Sequence, residues 1–156
     1  DAAALDLADA AIDLHVSYEV LEHIPGQVLE AILREAARLL RPGGLAVHCI
    51  DLTDHFSHSD PGIGPLNFLR FGERGFRMLA GNSFMYMNRL QVDDYDAIWA
   101  RTGLALRERL AGPDPNVAAA LAAGAIPLAP RFAGKPAEVL AVLRAWYVGA
   151  AGGAGP

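Results

Sequence analysis

The apolar positions of this chain change their spacing several times, and each change marks an element. Ile12-Asp13-Leu14-His15-Val16-Ser17 reads as a short strand running into a loop. From Gly26 to Leu40 the spacing becomes helical. Leu29, Ile32, Leu33, Ala36 and Leu40 fall on one face, Glu30, Arg34 and Arg38 on the other, and Glu30 and Arg34 form an i,i+4 pair. Pro42-Gly43-Gly44 stops the helix and turns the chain. Leu45 to Leu52 is a nearly continuous apolar run, the pattern of a strand covered on both faces. Strand, helix and strand at this spacing predict a βαβ unit with a right-handed crossover.

Residues 54–90 break the pattern. Phe56, Phe68, Phe71, Phe76 and Phe84 lie here with all three methionines, interleaved with Arg70, Arg74, Arg77 and Arg89. A segment this long inside one domain is functional or carries helices of its own, and short helices are expected near Leu66–Phe71 and Arg74–Leu79. Asp93 with Asp96 suggests a capped helix bearing Tyr95, Ile98 and Trp99, ended by Gly103. Leu104, Leu106 and Leu110 alternate with polar residues as on a half-exposed strand, and Asn116 to Ala123 suits a short helix. Val139 to Val148 fits a buried strand or a helix equally well. From Gly149 a flexible tail is expected, so the expected organisation is one domain over 1–148, with 54–90 inserted, and a tail over 149–156.

Composition narrows the chemistry. The 156 residues are 53% hydrophobic and 20% charged, a globular balance. A formal charge of -5 argues against a nucleic-acid surface, which needs clustered cations. Cys49 is the single cysteine, so an internal disulfide and a cysteine-built zinc site are both excluded. No apolar span is long enough to cross a bilayer, and a cytoplasmic setting without membrane contact is the expectation.

Three ordered segments then carry a resemblance: Asp1-Ala2 ahead of Leu5 and Asp9; Val20-Leu21-Glu22-His23-Ile24 after the first strand; and Arg38-Leu39-Leu40-Arg41-Pro42-Gly43-Gly44. In this order and at this spacing they resemble the later part of class I S-adenosylmethionine-dependent methyltransferases, of the type 11 and ubiquinone-pathway kind. The resemblance implies an α/β fold: a partial Rossmann-like sheet, mostly parallel with the last strand antiparallel, flanked by helices. It implies S-adenosyl-L-methionine as cofactor, held at the carboxyl ends of the strands. The Asp1 carboxylate would accept the adenine amino group with the Ala2 amide beside it. Ser17, Tyr18, Glu19 and His23 would line the wall near the sulfonium. The family's glycine-rich loop and its ribose-binding acid would precede Asp1, so this chain alone is expected to be inactive and to bind the cofactor weakly.

On the acceptor side, methyl transfer needs alignment and, for a hydroxyl, a base. Asp54, His55 and His58 follow the second strand, and His55 is the preferred base for its intrinsic pKa. Glu19, Glu22 and His23 form an E-x-x-E-H cluster that resembles the magnesium-binding segment of some ubiquinone-pathway O-methyltransferases, which His55 or His58 could complete. His48 and His15 read as core histidines. The 54–90 insert is expected to be an acceptor lid for a small molecule, its arginines suiting an anionic or sugar-linked one. O-methyl transfer is the leading expectation. A non-catalytic methyltransferase-like interaction domain and a metal-dependent hydrolase are the alternatives.

Overall fold

A computed structural model describes residues 1–80 and 86–152. Strand β1 (Ile12–Tyr18) leads through a 3-10 turn (Leu21–His23) into helix α1 (Gly26–Leu39) and strand β2 (Leu40–Asp51). Two 3-10 turns (His55–His58 and Asn67–Arg70) and α2 (Glu73–Ala80) occupy the insert. Then come α3 (Val92–Trp99), β3 (Leu104–Leu110), α4 (Pro115–Ala122), α5 (Ala137–Leu140) and β4 (Arg144–Ala151). The strands lie in the order β1-β2-β4-β3. β1 and β2 are parallel, and β4 runs antiparallel to both its neighbours. Three strands thus share one direction and the last strand opposes them, as the resemblance implied.

Four of the five positions predicted for the stripe of α1 pack as expected, Leu29, Ile32, Leu33 and Ala36, while Leu39 completes the stripe and Leu40 opens β2. Leu29, Leu33 and Leu40 join Ala46, Ile50, Tyr95, Trp99, Leu104 and Tyr147 in a core between the sheet and α1 and α3. The opposite face of the sheet is open. Leu14, Val16 and Tyr18 alternate along β1 on that face and are each more than half exposed, beside Leu45 of β2 at 39%. The expectation that β2 is covered on both faces is therefore corrected along its first half, because the helices of this chain pack on one side. β2 also begins earlier than expected, at Leu40. The Arg41–Gly44 segment is accommodated by a register shift opposite Ile12–Leu14. Gly43 adopts φ +84°, and a side chain at Gly44 would meet the carbonyls of Arg41 and Asp13. The Pro-Gly-Gly turn is architectural.

Two further expectations change. Helix α3 starts after Gln91, whose amide donates to the Asp94 carboxylate at 2.9 Å. Asp93 instead takes the Lys135 ammonium and Asp96 the Tyr147 hydroxyl, so tertiary partners claim the two acids that suggested the cap. Gly149 does not open a tail. It lies within β4, and a Cβ there would sit 2.6 Å from the Trp99 ring. A buried indole lies where a side chain would be, so glycine is required. Ala150 and Ala151 are buried as well. The ambiguous 139–148 segment resolves into both forms, the end of α5 and the start of β4.

The insert forms a second core. Leu66, Phe68, Leu69 and Met87 pack with Leu121, Phe132, Leu140 and Ala141. The expected short helices appear as Asn67–Arg70 and Glu73–Ala80; Phe84 lies outside the described residues. Arg89, 3% exposed, ties this region together. It donates to the carbonyls of Phe68 and Phe71, pairs with Glu73 at 2.8 Å, and lies 4.2 Å from the Phe76 ring centroid. Among the described residues no helix is long and apolar enough to cross a membrane.

Candidate active site

The carboxyl ends of β1 and β2 are adjacent, and the segments leaving them carry five ionisable side chains into one cluster. From β1, the 3-10 turn presents Glu22 and His23. From β2 come Asp51, His55 and His58. Helical winding over 55–58 stacks the two histidines with ring centroids 5.3 Å apart, and the His55 ring lies 4.8 Å from that of His23. Asp51 is the hub: its Oδ2 lies 3.6 Å from His55 Nε2 and 3.4 Å from His58 Nε2. Its other oxygen accepts from the Thr53 amide and hydroxyl. The Thr53 hydroxyl is then free to accept from His58 Nε2 at 2.9 Å, which gives a His58–Thr53–Asp51 chain.

Hydrogen bonding sets the state of each group. His23 Nδ1 meets the Tyr86 carbonyl at 2.8 Å. A carbonyl only accepts, so Nδ1 carries the proton and Nε2 presents a lone pair. His55 is held below its ordinary pKa by burial, opposed by the Asp51 charge, and its Nε2 is buried without a hydrogen-bond partner. Glu22 is 2% exposed, with neither carboxylate oxygen partnered, and desolvation pushes its pKa up to about 7. One ligand atom each from Glu22, His23 and His55 lies within 4.8 Å of the others, spacing that could hold a cation.

The remaining sequence candidates fall elsewhere. Asp54 is buried, capping the 55–58 turn through Phe56 and accepting from Asn67. Glu19 adopts φ +53° and binds Arg144 at 2.7 Å, outside the three-ligand group. Tyr18 is half exposed on the open face, 5.8 Å from Trp146. The Ser17 hydroxyl turns the other way, to His48 Nδ1 at 2.7 Å, and His48 Nε2 contacts His15 at 3.3 Å. His48 is fully buried, and desolvation lowers its pKa to about 3, as befits a core histidine. Asp1 and Ala2 are exposed, and the Asp1 carboxylate accepts from the Ala3 amide. The segment after them docks on α1 through Glu35 and Arg38. No hydrogen bond joins Asp1 or Ala2 to 17–23 among the described residues. Asp51 and Thr53 were missed from the sequence because they ended an apolar run. The signal was there: an acid closing a strand, with a threonine two residues on.

The comparisons follow this geometry. A family profile described as a methyltransferase domain matches residues 1–48. No curated protein matches the sequence. Among solved structures, a complex of the Haloferax volcanii Trm112 methyltransferase activator with a methyltransferase is similar at 19% identity and a TM-score of 0.55, covering 98% of this chain and 60% of that one. A geranyl diphosphate methyltransferase with GPP and sinefungin gives 11%, 0.54, 97% and 51%. The [4+2]-cyclase SpnF gives 18%, 0.52, 96% and 53%. The chain spans 51 to 60% of the length of these structures. The fold is that of class I S-adenosylmethionine-dependent methyltransferases, and residues 1–48 match the methyltransferase-domain profile.

Proposed function

We propose that this chain forms the acceptor-side part of an S-adenosylmethionine-dependent methyltransferase acting on a hydroxyl of a small molecule. The observation that carries the reading is the His55–Asp51 pair at the carboxyl ends of two adjacent parallel strands, with His55 Nε2 buried and unpartnered. Ligands of open α/β sheets bind at such strand ends. Fold alone would not suffice, since a cyclase shares it. S-adenosylmethionine, when bound, would supply the methyl group, its methyl–sulfur bond breaking to leave a neutral thioether as the acceptor oxygen bonds to carbon. His55 would take the hydroxyl proton, and Asp51 would stabilise the imidazolium that forms. His58 and Thr53 hold Asp51 in place. The sulfonium is already activated, so the remaining task of the protein is alignment.

Radiolabelled methyl transfer by this protein should depend on His55. Transfer at an unchanged rate in His55→Gln would sink the assignment.

A second reading is favoured by one observation, the unpartnered oxygens of Glu22 within reach of ring nitrogens of His23 and His55. Glu22, His23 and His55 would hold a divalent cation, and the bond from His23 Nδ1 to a backbone carbonyl is the kind of support metal-bound histidines receive. One carboxylate with two imidazoles suits a transition ion better than magnesium, and such an ion would supply Lewis-acid stabilisation of an alkoxide. Metal analysis after manganese or zinc titration, with Glu22→Gln as control, tests it. Equal uptake by both proteins rejects the site.

A further inference from the structure

The insert encloses a cavity of about 240 Å³ whose lining includes Asp54, Phe56, Ile63, Asn67, Phe71 and Phe76. That is smaller than the roughly 300–1,000 Å³ of sites for drug-sized ligands, and suits one flat ring system. We propose that it receives the ring of the methyl acceptor, and that this acceptor is an aromatic compound with a cationic or hydrogen-bond-donating arm. The role as acceptor site rests on the methyltransferase reading above; the ligand chemistry does not.

The lining decides the chemistry. Three phenylalanines and an isoleucine favour an aromatic body. Among the described residues, the single charged group in the wall is Asp54, 1% exposed, whose oxygens take only an amide N–H from Phe56 and the Asn67 side-chain amide. Among the described residues, no arginine or lysine pairs with it. A cationic or donating arm would find a desolvated carboxylate there, whereas an anion would face repulsion in a medium that screens poorly. None of the arginines that suggested an anionic acceptor lines the cavity, although Arg70 lies 5.5 Å from the Phe71 ring centroid and Arg89 4.2 Å from that of Phe76. Arg89 is consumed by Glu73 and two carbonyls, and Arg70, Arg74 and Arg77 are exposed. Asp54 and Phe56 also flank His55 along the chain, which ties the cavity wall to the turn that carries the proposed base.

Titration of the chain with tryptamine, 3-methylindole and indole-3-acetate, without S-adenosylmethionine, tests this with one ring and three charges. Tryptamine should bind about tenfold tighter than indole-3-acetate, equivalent to one pK unit of charge preference. Asp54→Asn, which keeps a capping acceptor, should abolish that preference and leave 3-methylindole binding intact. Ile63→Trp should fill the cavity and remove binding of all three. Indole-3-acetate binding as tightly as tryptamine, no binding of any probe, or affinities that survive Ile63→Trp would overturn the proposal. Because no methyl transfer is read, failure here is distinguishable from failure of the enzymatic reading.

Discussion

Two histidine clusters lie on the same pair of strands, and they behave in opposite ways. His15, Ser17 and His48 sit along the strands on the helix-covered face. His48 is fully enclosed, with both ring nitrogens engaged, and stays neutral. His23, His55 and His58 sit just beyond the strand ends with Glu22 and Asp51, where buried oxygens and a ring nitrogen lack partners. Burial alone does not separate the two, for Glu22 is as buried as the core. What separates them is satisfaction. A closed hydrogen-bond set stabilises a fold, and an open one retains unmet binding capacity for a substrate, proton or ion.

The strongest way to break this comparison is to exchange one member of each cluster. His55→Gln should lower methyl transfer by roughly 10²–10⁴, the usual worth of a general base, with melting temperature nearly unchanged. His48→Gln should do the reverse, and an activity loss in His48→Gln without a stability loss would erase the distinction.

Next in size is the pH response of Glu22. Its folded pKa of about 7 lies above the ordinary 4.5, so the folded state holds the proton more tightly than the unfolded one. That contribution is fully present below about 4.5 and is lost as pH rises through 7, costing about 3 kcal/mol at most above pH 8. Denaturant unfolding of Glu22→Gln should show this alkaline slope flattened.

His48 provides the opposite limb. Its folded pKa of about 3 lies below the ordinary 6.5, so its contribution is present above 6.5 and declines as pH falls. The loss is about 2 kcal/mol by pH 5. His48→Gln should flatten the acid slope and leave the alkaline one alone. Smallest of all is Arg144→Ala. It frees Glu19 from a partly exposed ion pair and should alter stability by within about 1 kcal/mol. Metal uptake unchanged in this variant would keep Glu19 out of the site, and increased uptake would bring it in.

The chain's own letters determined the elements that depend on local periodicity and turn chemistry. The buried stripe of α1, the stop at Pro42-Gly43-Gly44, β3 and the short helix α4 were all legible, because helical spacing and glycine's backbone freedom act within a few residues. The proximity of His55 and His58 to β2 was legible too. Tertiary structure alone decided which acids are used. Asp54 was expected as a candidate base beside His55 but caps the 55–58 turn and lines the insert's cavity. Asp51, hidden at the end of an apolar run, became the hub because β2 ends beside β1. Gly149 looked like the start of a tail until the Trp99 ring filled the space its side chain would need, and Lys135 reached across 42 residues to claim Asp93. These outcomes depend on contacts between segments far apart in sequence, and no local pattern encodes which partner will arrive.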